Sequence, residues 1–176
     1  MATMIVPKLP SMRLDGRRAL VTGGSSGIGF GSASALAQVG ARVTLVARGA
    51  ERLSEATDAL RSEGLPVGSK CLDISDLQAV DRWLETESPF DILVNCAGVA
   101  RHAPALDASS TDFDHVLGVN TRAAYFLTRA VARSLVDAGR GGSLINVSSQ
   151  MGHVGGIDRS VYCASKIAIE GFSKAK

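Results

Sequence analysis

The sequence predicts an α/β fold, a doubly wound parallel sheet, on three observations. From residue 14 onward, short apolar runs alternate with longer amphipathic stretches; strand–helix–strand alternation builds parallel sheets covered on both faces. The short runs are apolar almost throughout, as strands buried on both sides require. Glycine and other turn residues cluster where these runs end. Right-handed crossovers between such strands leave their carboxyl ends as the place for a ligand.

The first strand is "RALVT" (18–22), followed by a glycine turn and a helix over 27–39. "ARVTLVA" (41–47) is the second strand, and 51–61 the second helix, ended by Gly64 and Pro66. "VGSKCL" (67–72) is the third strand; Asp76, able to accept from free helix N–H groups, then caps a helix to about residue 87. "DILVN" (91–95) is the fourth strand, a long helix covers 112–137, and "SLINV" (143–147) is the fifth strand. The last helix opens near Ser160 and is still running at the final residue. Residues 1–13 carry two prolines and no sustained apolar core, so no signal peptide is expected and the stretch reads as a loose arm before one domain, 14–176.

Composition narrows the function. A chain of 176 residues, 45% hydrophobic, can bury a core. Its net charge of +2 supplies no field toward nucleic acid or membranes, and no run approaches the ~18 apolar residues of a membrane span. The three cysteines, Cys71, Cys96 and Cys163, are odd in number and lack CxxC spacing. Neither a disulfide framework nor a zinc site follows, and reduced thiols in a cytoplasmic protein are expected. His102, His115 and His153 have no metal-ligand spacing, so no metal is expected.

"TGGSSGIG" (22–29) leaves the first strand and opens the first helix. Glycines there let the backbone approach a pyrophosphate, whose charge suits free N–H groups at a helix start. The spacing is TGxxxGxG, not GxGxxG, and turn formation alone is the plainer reading. Tyr162 and Lys166 stand one helical turn apart, which any surface pair also does.

Taken in order, TGxxxGxG at 22–29, "NCAG" at 95–98, Asn120, "NVSS" at 146–149 and Tyr162-xxx-Lys166 resemble the short-chain dehydrogenase/reductase family. The resemblance runs from Leu14 to the C-terminus. Its one small departure is Cys96 where the family has a second Asn. It implies a Rossmann-like sheet, with Thr22, Gly23, Ser25, Ser26, Gly27, Ile28, Gly29, Asn95, Ala97, Gly98, Tyr162 and Lys166 holding a nicotinamide cofactor. Family members continue beyond this length. The last strands and helices of the family fold are therefore expected to be absent, the fifth strand to be an uncovered edge, and the chain to be a truncated product or part of a longer reductase.

An NAD-type site has an acidic side chain at the end of the second strand. Here Ala47 stands there and Arg48 follows. A guanidinium suits bidentate contact with a ribose phosphate, and this resembles the NADP-preferring members, so NADP(H) is expected over NAD(H). Ser26 stands where some of those carry a second basic residue. The resemblance implies that Asp73 meets the adenine amino group; a turn role is equally open.

Reducing a ketone leaves an alkoxide that must receive a proton. A free phenol has a pKa of about 10, so proton exchange near neutrality needs a positive charge beside it. Lys166, one turn from Tyr162, supplies that charge. By resemblance, Ser149 holds the substrate oxygen and Asn120 supports a water running from the lysine to solvent. Ser148 is adjacent, but Ser149 fits the spacing better. His102, His153, Met151 and Val154 are candidates for the substrate side, with surface or packing roles as the plainer alternatives. The expected function is NADP(H)-dependent interconversion of a small-molecule ketone and a secondary alcohol, nearest to sugar and dicarbonyl reductases, with 3-oxoacyl-carrier-protein reductases close behind. The rival is a truncated, non-catalytic nucleotide-binding protein or a partner of related subunits. The long helix and the last helix resemble the family's subunit interface, so a homodimer or homotetramer is expected of the full-length protein.

Overall fold

Five apolar runs become five parallel strands: β1 (Arg18–Thr22), β2 (Arg42–Ala47), β3 (Val67–Cys71), β4 (Ile92–Asn95) and β5 (Ser143–Asn146). The computed structural model describes residues 10–175; most of the expected N-terminal arm, residues 1–9, lies outside them. The strands form one sheet in the order β3-β2-β1-β4-β5. Val21 of β1 stands between Leu45 of β2 and Val94 of β4. The chain builds outward from β1 in one direction and then in the other, so the crevice above β1 and β4 is the switch point where such sheets take ligands.

Helices α1 (Gly27–Gln38), α2 (Ala50–Ser62), α3 (Leu77–Leu84), α4 (Ser110–Leu117), α5 (Ala124–Asp137) and α6 (Ser160–Lys174) cover the sheet. Successive β1 side chains point to opposite faces and feed two cores. Ala19 and Val21 join Val43, Leu45, Leu53 and Leu60 on one side. Leu20 joins Leu93, Trp83, Phe90, Leu127 and Val131 on the other. Each fully buried leucine stabilises the fold by roughly 1.5–3 kcal/mol. Among the described residues, no helix is long and apolar enough to cross a membrane.

Several boundaries move from expectation for local reasons. The third helix stops at Leu84, not near 87, because the carbonyls of Trp83 and Leu84 are taken by Thr86 N and Glu87 N in a tighter turn. Helix α4 begins at Ser110, two residues early, since the Ser109 hydroxyl accepts from Asp112 N at 3.0 Å. The single long helix is instead α4, a π-helical segment (Gly118–Ala123) and α5 in unbroken succession. Strand β5 lies at the sheet edge, as expected, and Ile145 there is half exposed.

Candidate active site

Thr22, the last residue of β1, is fully buried, and its hydroxyl accepts from Ala97 N at 3.1 Å. That bond draws the segment after β4 against the glycine loop. Gly23 adopts φ +66°, and a Cβ there would lie 2.9 Å from Ala97 N. Gly29 packs directly on the Gly23 carbonyl, leaving no room for a side chain. The loop is therefore pressed flat against its neighbours, as close backbone approach to a phosphate requires.

Beside it runs a groove of about 620 Å³ whose wall includes Gly23, Ser25, Ser26, Arg48, Asp73, Ala97 and Gly98. Gly27 and Ile28 continue the loop into α1, with Ile28 exposed. Arg48 is more than half exposed and reaches Asp73 Oδ2 only loosely, at 3.9 Å. The other oxygen of Asp73 accepts from Ser75 N at 2.9 Å and Ser75 Oγ at 2.7 Å, a local turn. Burial pushes the Asp73 carboxyl up, but the Ser75 bonds and Arg48 outweigh it and hold it below the ordinary carboxylate value. Both roles raised for Asp73 thus stay physically compatible. Sequence reasoning missed Arg52, which lines the same groove one helical turn beyond Arg48. The Arg-xxx-Arg spacing was the signal.

Asn95 differs from a groove residue. Its side chain is buried, and Nδ2 donates to Asn146 Oδ1 at 2.9 Å and to Thr128 Oγ1 at 3.0 Å. It ties β4 to β5 and α5 beneath the groove floor.

The second half of the site is set by α6. Lys166 is buried, and its Nζ donates to the Val147 carbonyl at 3.0 Å. Nζ also stands 5.7 Å from the centroid of the Tyr162 ring. Burial pulls the Lys166 pKa below the ordinary lysine value. Burial pushes the Cys96 thiol up, so it stays protonated beside that ammonium.

Asn120 is fully buried inside the π-helical segment. Its Oδ1 accepts from Val99 N at 2.8 Å, and its Nδ2 donates to Val99 O at 2.9 Å and to Ser165 Oγ at 3.0 Å. A Cβ added at Gly98 would sit 3.3 Å from Asn120 Oδ1 and 3.7 Å from Lys166 Nζ. Gly98, Asn120 and Lys166 therefore converge on one spot above β4.

Ser148 and Ser149 separate cleanly. Ser148 Oγ is committed to α6, its single proton directed at Glu170 Oε1 at 2.8 Å with the Lys166 carbonyl also in range at 3.1 Å. Ser149 Oγ accepts from Met151 N at 3.2 Å, and among the described residues its own proton has no acceptor. His102, on the loop after β4, sets its ring edge-on to Tyr162 with centroids 6.3 Å apart. His153 pairs with Glu170 instead.

A family model described as short chain dehydrogenase matches residues 17–176. L-xylulose reductase of Bos taurus is 40% identical over 163 residues, covering 93% of this chain and 65% of the relative. Gluconate 5-dehydrogenase of Gluconobacter oxydans is 38% identical over 165 residues, covering 92% and 64%. The chain spans just under two thirds of the length of these curated relatives. Among solved structures, a short-chain type dehydrogenase/reductase from Mycobacterium marinum superposes with a TM-score of 0.89 at 32% identity, covering 94% of this chain and 69% of that one. A protein assigned as a 2-deoxy-D-gluconate 3-dehydrogenase from Agrobacterium tumefaciens, with bound NADP, gives 0.85 at 36%, covering 94% and 66%.

Proposed function

The chain belongs to the short-chain dehydrogenase/reductase family, and from that premise we propose that it serves an NADP(H)-dependent interconversion of a ketone and a secondary alcohol, with a sugar or sugar-derived carbonyl compound as substrate. The observation that carries this reading is the juxtaposition on α6. Tyr162 and the buried Lys166 share one helix face, with Nζ 5.7 Å from the phenol ring, at the carboxyl ends of β4 and β5.

The residues present fit a nicotinamide dinucleotide. The glycine loop is crowded to the point of excluding Cβ atoms, no carboxylate ends β2, and Arg48 and Arg52 both face the groove. When bound, the cofactor supplies the hydride. The Tyr162 hydroxyl gives the substrate oxygen its proton, or takes it in the reverse direction. The Lys166 ammonium supplies a positive charge 5.7 Å from the phenol ring centroid. Ser149, with its hydroxyl proton uncommitted, donates to the substrate oxygen where negative charge develops. Asn120 fixes the segment after β4 through Val99 and supports proton relay behind Lys166. Arg48 and Asp73, which line the groove, would hold the adenosine end of the cofactor, and the guanidinium would supply the charge for a ribose phosphate. Sugar chemistry is favoured by the relatives, which carry names such as L-xylulose reductase, gluconate 5-dehydrogenase and D-threitol dehydrogenase. A cytoplasmic homo-oligomer completes the proposal; Tyr125, Val136 and Ile167 leave apolar surface exposed on α5 and α6.

The test is oxidation of NADPH against a panel of ketoses, keto-acid sugars and dicarbonyls. Tyr162→Phe is expected to lower kcat by about 10²–10⁴-fold while NADPH binding, followed by fluorescence, persists. Binding without any Tyr162-dependent turnover would overturn the catalytic reading. Arg48→Ala and Arg52→Ala are each expected to weaken NADPH about tenfold, as loss of ~1.4 kcal/mol does, and to leave NADH affinity unchanged. Equal loss for both cofactors would remove the case for NADP(H).

A further inference from the structure

The segment from Ser148 to His153 is wrapped around a single carboxylate. Glu170 lies on α6 one turn beyond Lys166, so Tyr162, Lys166 and Glu170 stand in one row on one face. Its side chain is only 16% exposed. From one side Ser148 Oγ donates to Glu170 Oε1 at 2.8 Å. From the other, His153 Nε2 lies 3.2 Å from the same oxygen. Between these two contacts runs the 3-10 turn Gln150–Gly152. Gly152 is buried, and a Cβ there would come within 2.8 Å of Ser148 Oγ and closer still to Glu170 Oε1. The turn closes through Gly152 N to the Ser149 carbonyl at 2.8 Å.

Ser149 therefore has a neighbour clamped on each side. Ser148, immediately before it, and His153, four residues after it, are both tied to Glu170. Its own hydroxyl is located by the Met151 N–H. Beyond the turn, Val154 N donates back to the Gln150 carbonyl at 3.0 Å, while the Val154 side chain is half exposed and Ile157 almost fully exposed. Among the described residues, the other polar contact between α6 and the Ser148 side chain is the Lys166 carbonyl, at 3.1 Å.

We infer that Glu170 is a positioning residue: it fixes the 148–153 turn against α6 and so sets where the Ser149 hydroxyl stands relative to Tyr162. The role for Ser149 rests on the proposed function; the clamp itself does not. A carboxylate is suited to the task because it accepts from two donors at once; Glu170 is 16% exposed but His153 69%, so the Ser148 bond is the better shielded of the two. Misplacing an oxygen-binding hydroxyl by an ångström costs rate and leaves cofactor affinity alone.

The experiment compares the full 176-residue chain with Glu170→Ala, Glu170→Gln and Ser148→Ala. Amide hydrogen exchange is read at Met151 and Gly152, together with the melting temperature, NADPH affinity and carbonyl kcat/KM. Glutamine keeps an acceptor for Ser148, whereas alanine, the best helix former, removes it without penalising α6. The expected result is exchange at Met151 and Gly152 faster by about tenfold or more in Glu170→Ala, with Glu170→Gln close to wild type and the rest of α6 unchanged. Ser148→Ala should show an intermediate loosening. In parallel, kcat/KM should fall about 10–100-fold in Glu170→Ala at unchanged NADPH affinity. Unchanged exchange at Met151, equal behaviour of the alanine and glutamine variants, or loosening spread over all of α6 would each overturn the inference. The exchange arm needs no turnover, so an inactive wild type removes the proposed activity while the clamp is still decided.

Discussion

Lys166 carries the largest electrostatic burden of any single residue in the site. Its ammonium is buried against one backbone carbonyl and an uncharged thiol, and burial lowers its pKa below the ordinary lysine value. The unfolded chain therefore binds this proton more readily than the folded one. Folding carries a penalty at neutral pH that fades as pH climbs toward the ordinary value of about 10.4. Lys166→Met removes both the charge and the penalty. Relief of desolvation offsets loss of the bond to Val147, so stability at pH 7 should stay within about 1 kcal/mol of wild type. Its stability should also lack the wild type's rise between neutral and alkaline pH. Denaturant titrations at pH 7 and pH 9.5 read both, and carbonyl reduction should be lost in the same protein. A variant several kcal/mol less stable at pH 7 would mean that the lysine is structural and not a strained functional charge.

At the scale of elements, the interrupted helix is where the site and the fold meet. A π-helical turn widens the backbone and leaves a carbonyl without its usual partner, a feature common at functional sites. Asn120 sits inside it and spends its amide entirely on Val99 and Ser165. Asn120→Ala leaves the half-buried Val99 N–H and C=O unpaired, and should lower stability by about 1–3 kcal/mol in urea; no loss would show that water replaces the amide freely. The sequence marked Asn120 as a poor helix former inside a helical run, yet it predicted one continuous helix, because periodicity registers apolar faces and not the extra residue of a π turn. The strands themselves and the glycine loop were legible, since apolar runs and Gly spacing are local. Asn95 was not. Its membership in "NCAG" gave no sign that its side chain points down into Asn146 and Thr128, a pairing between residues 51 and 33 positions apart. Glu170 was missed for the same reason: it acquires its role only when α6 is laid against the 148–153 turn. Arg52 was missed although its spacing from Arg48 is local.

Taken as a whole, the molecule divides along its strands. The carboxyl ends carry the glycine loop, the Arg48 and Arg52 wall and the α6 row, while the amino ends carry a separate polar clasp on Asp91. That carboxylate is 3% exposed. It accepts from Arg18 N at 2.9 Å, from Arg17 at 3.1 Å and from Arg140, which joins the start of β4 to β1 and to the turn before β5. Burial pushes the Asp91 carboxyl up, but these bonds outweigh it and hold it below the ordinary value. Because the folded pKa is the lower one, its contribution is present above the ordinary carboxylate range and is lost as pH falls through the folded value. Asp91→Asn should therefore cost about 1–3 kcal/mol at pH 7, through weakened charge-assisted bonds and no cavity. It should also flatten the wild type's loss of stability between about pH 5 and pH 2. The clasp lies at the far end of the sheet from the groove, so NADPH affinity measured well below the melting temperature should not change. If Asp91→Asn weakened cofactor binding as much as it weakened the fold, the two ends of the sheet would be coupled. The separation of a stabilising end from a chemical end would then not hold for this chain.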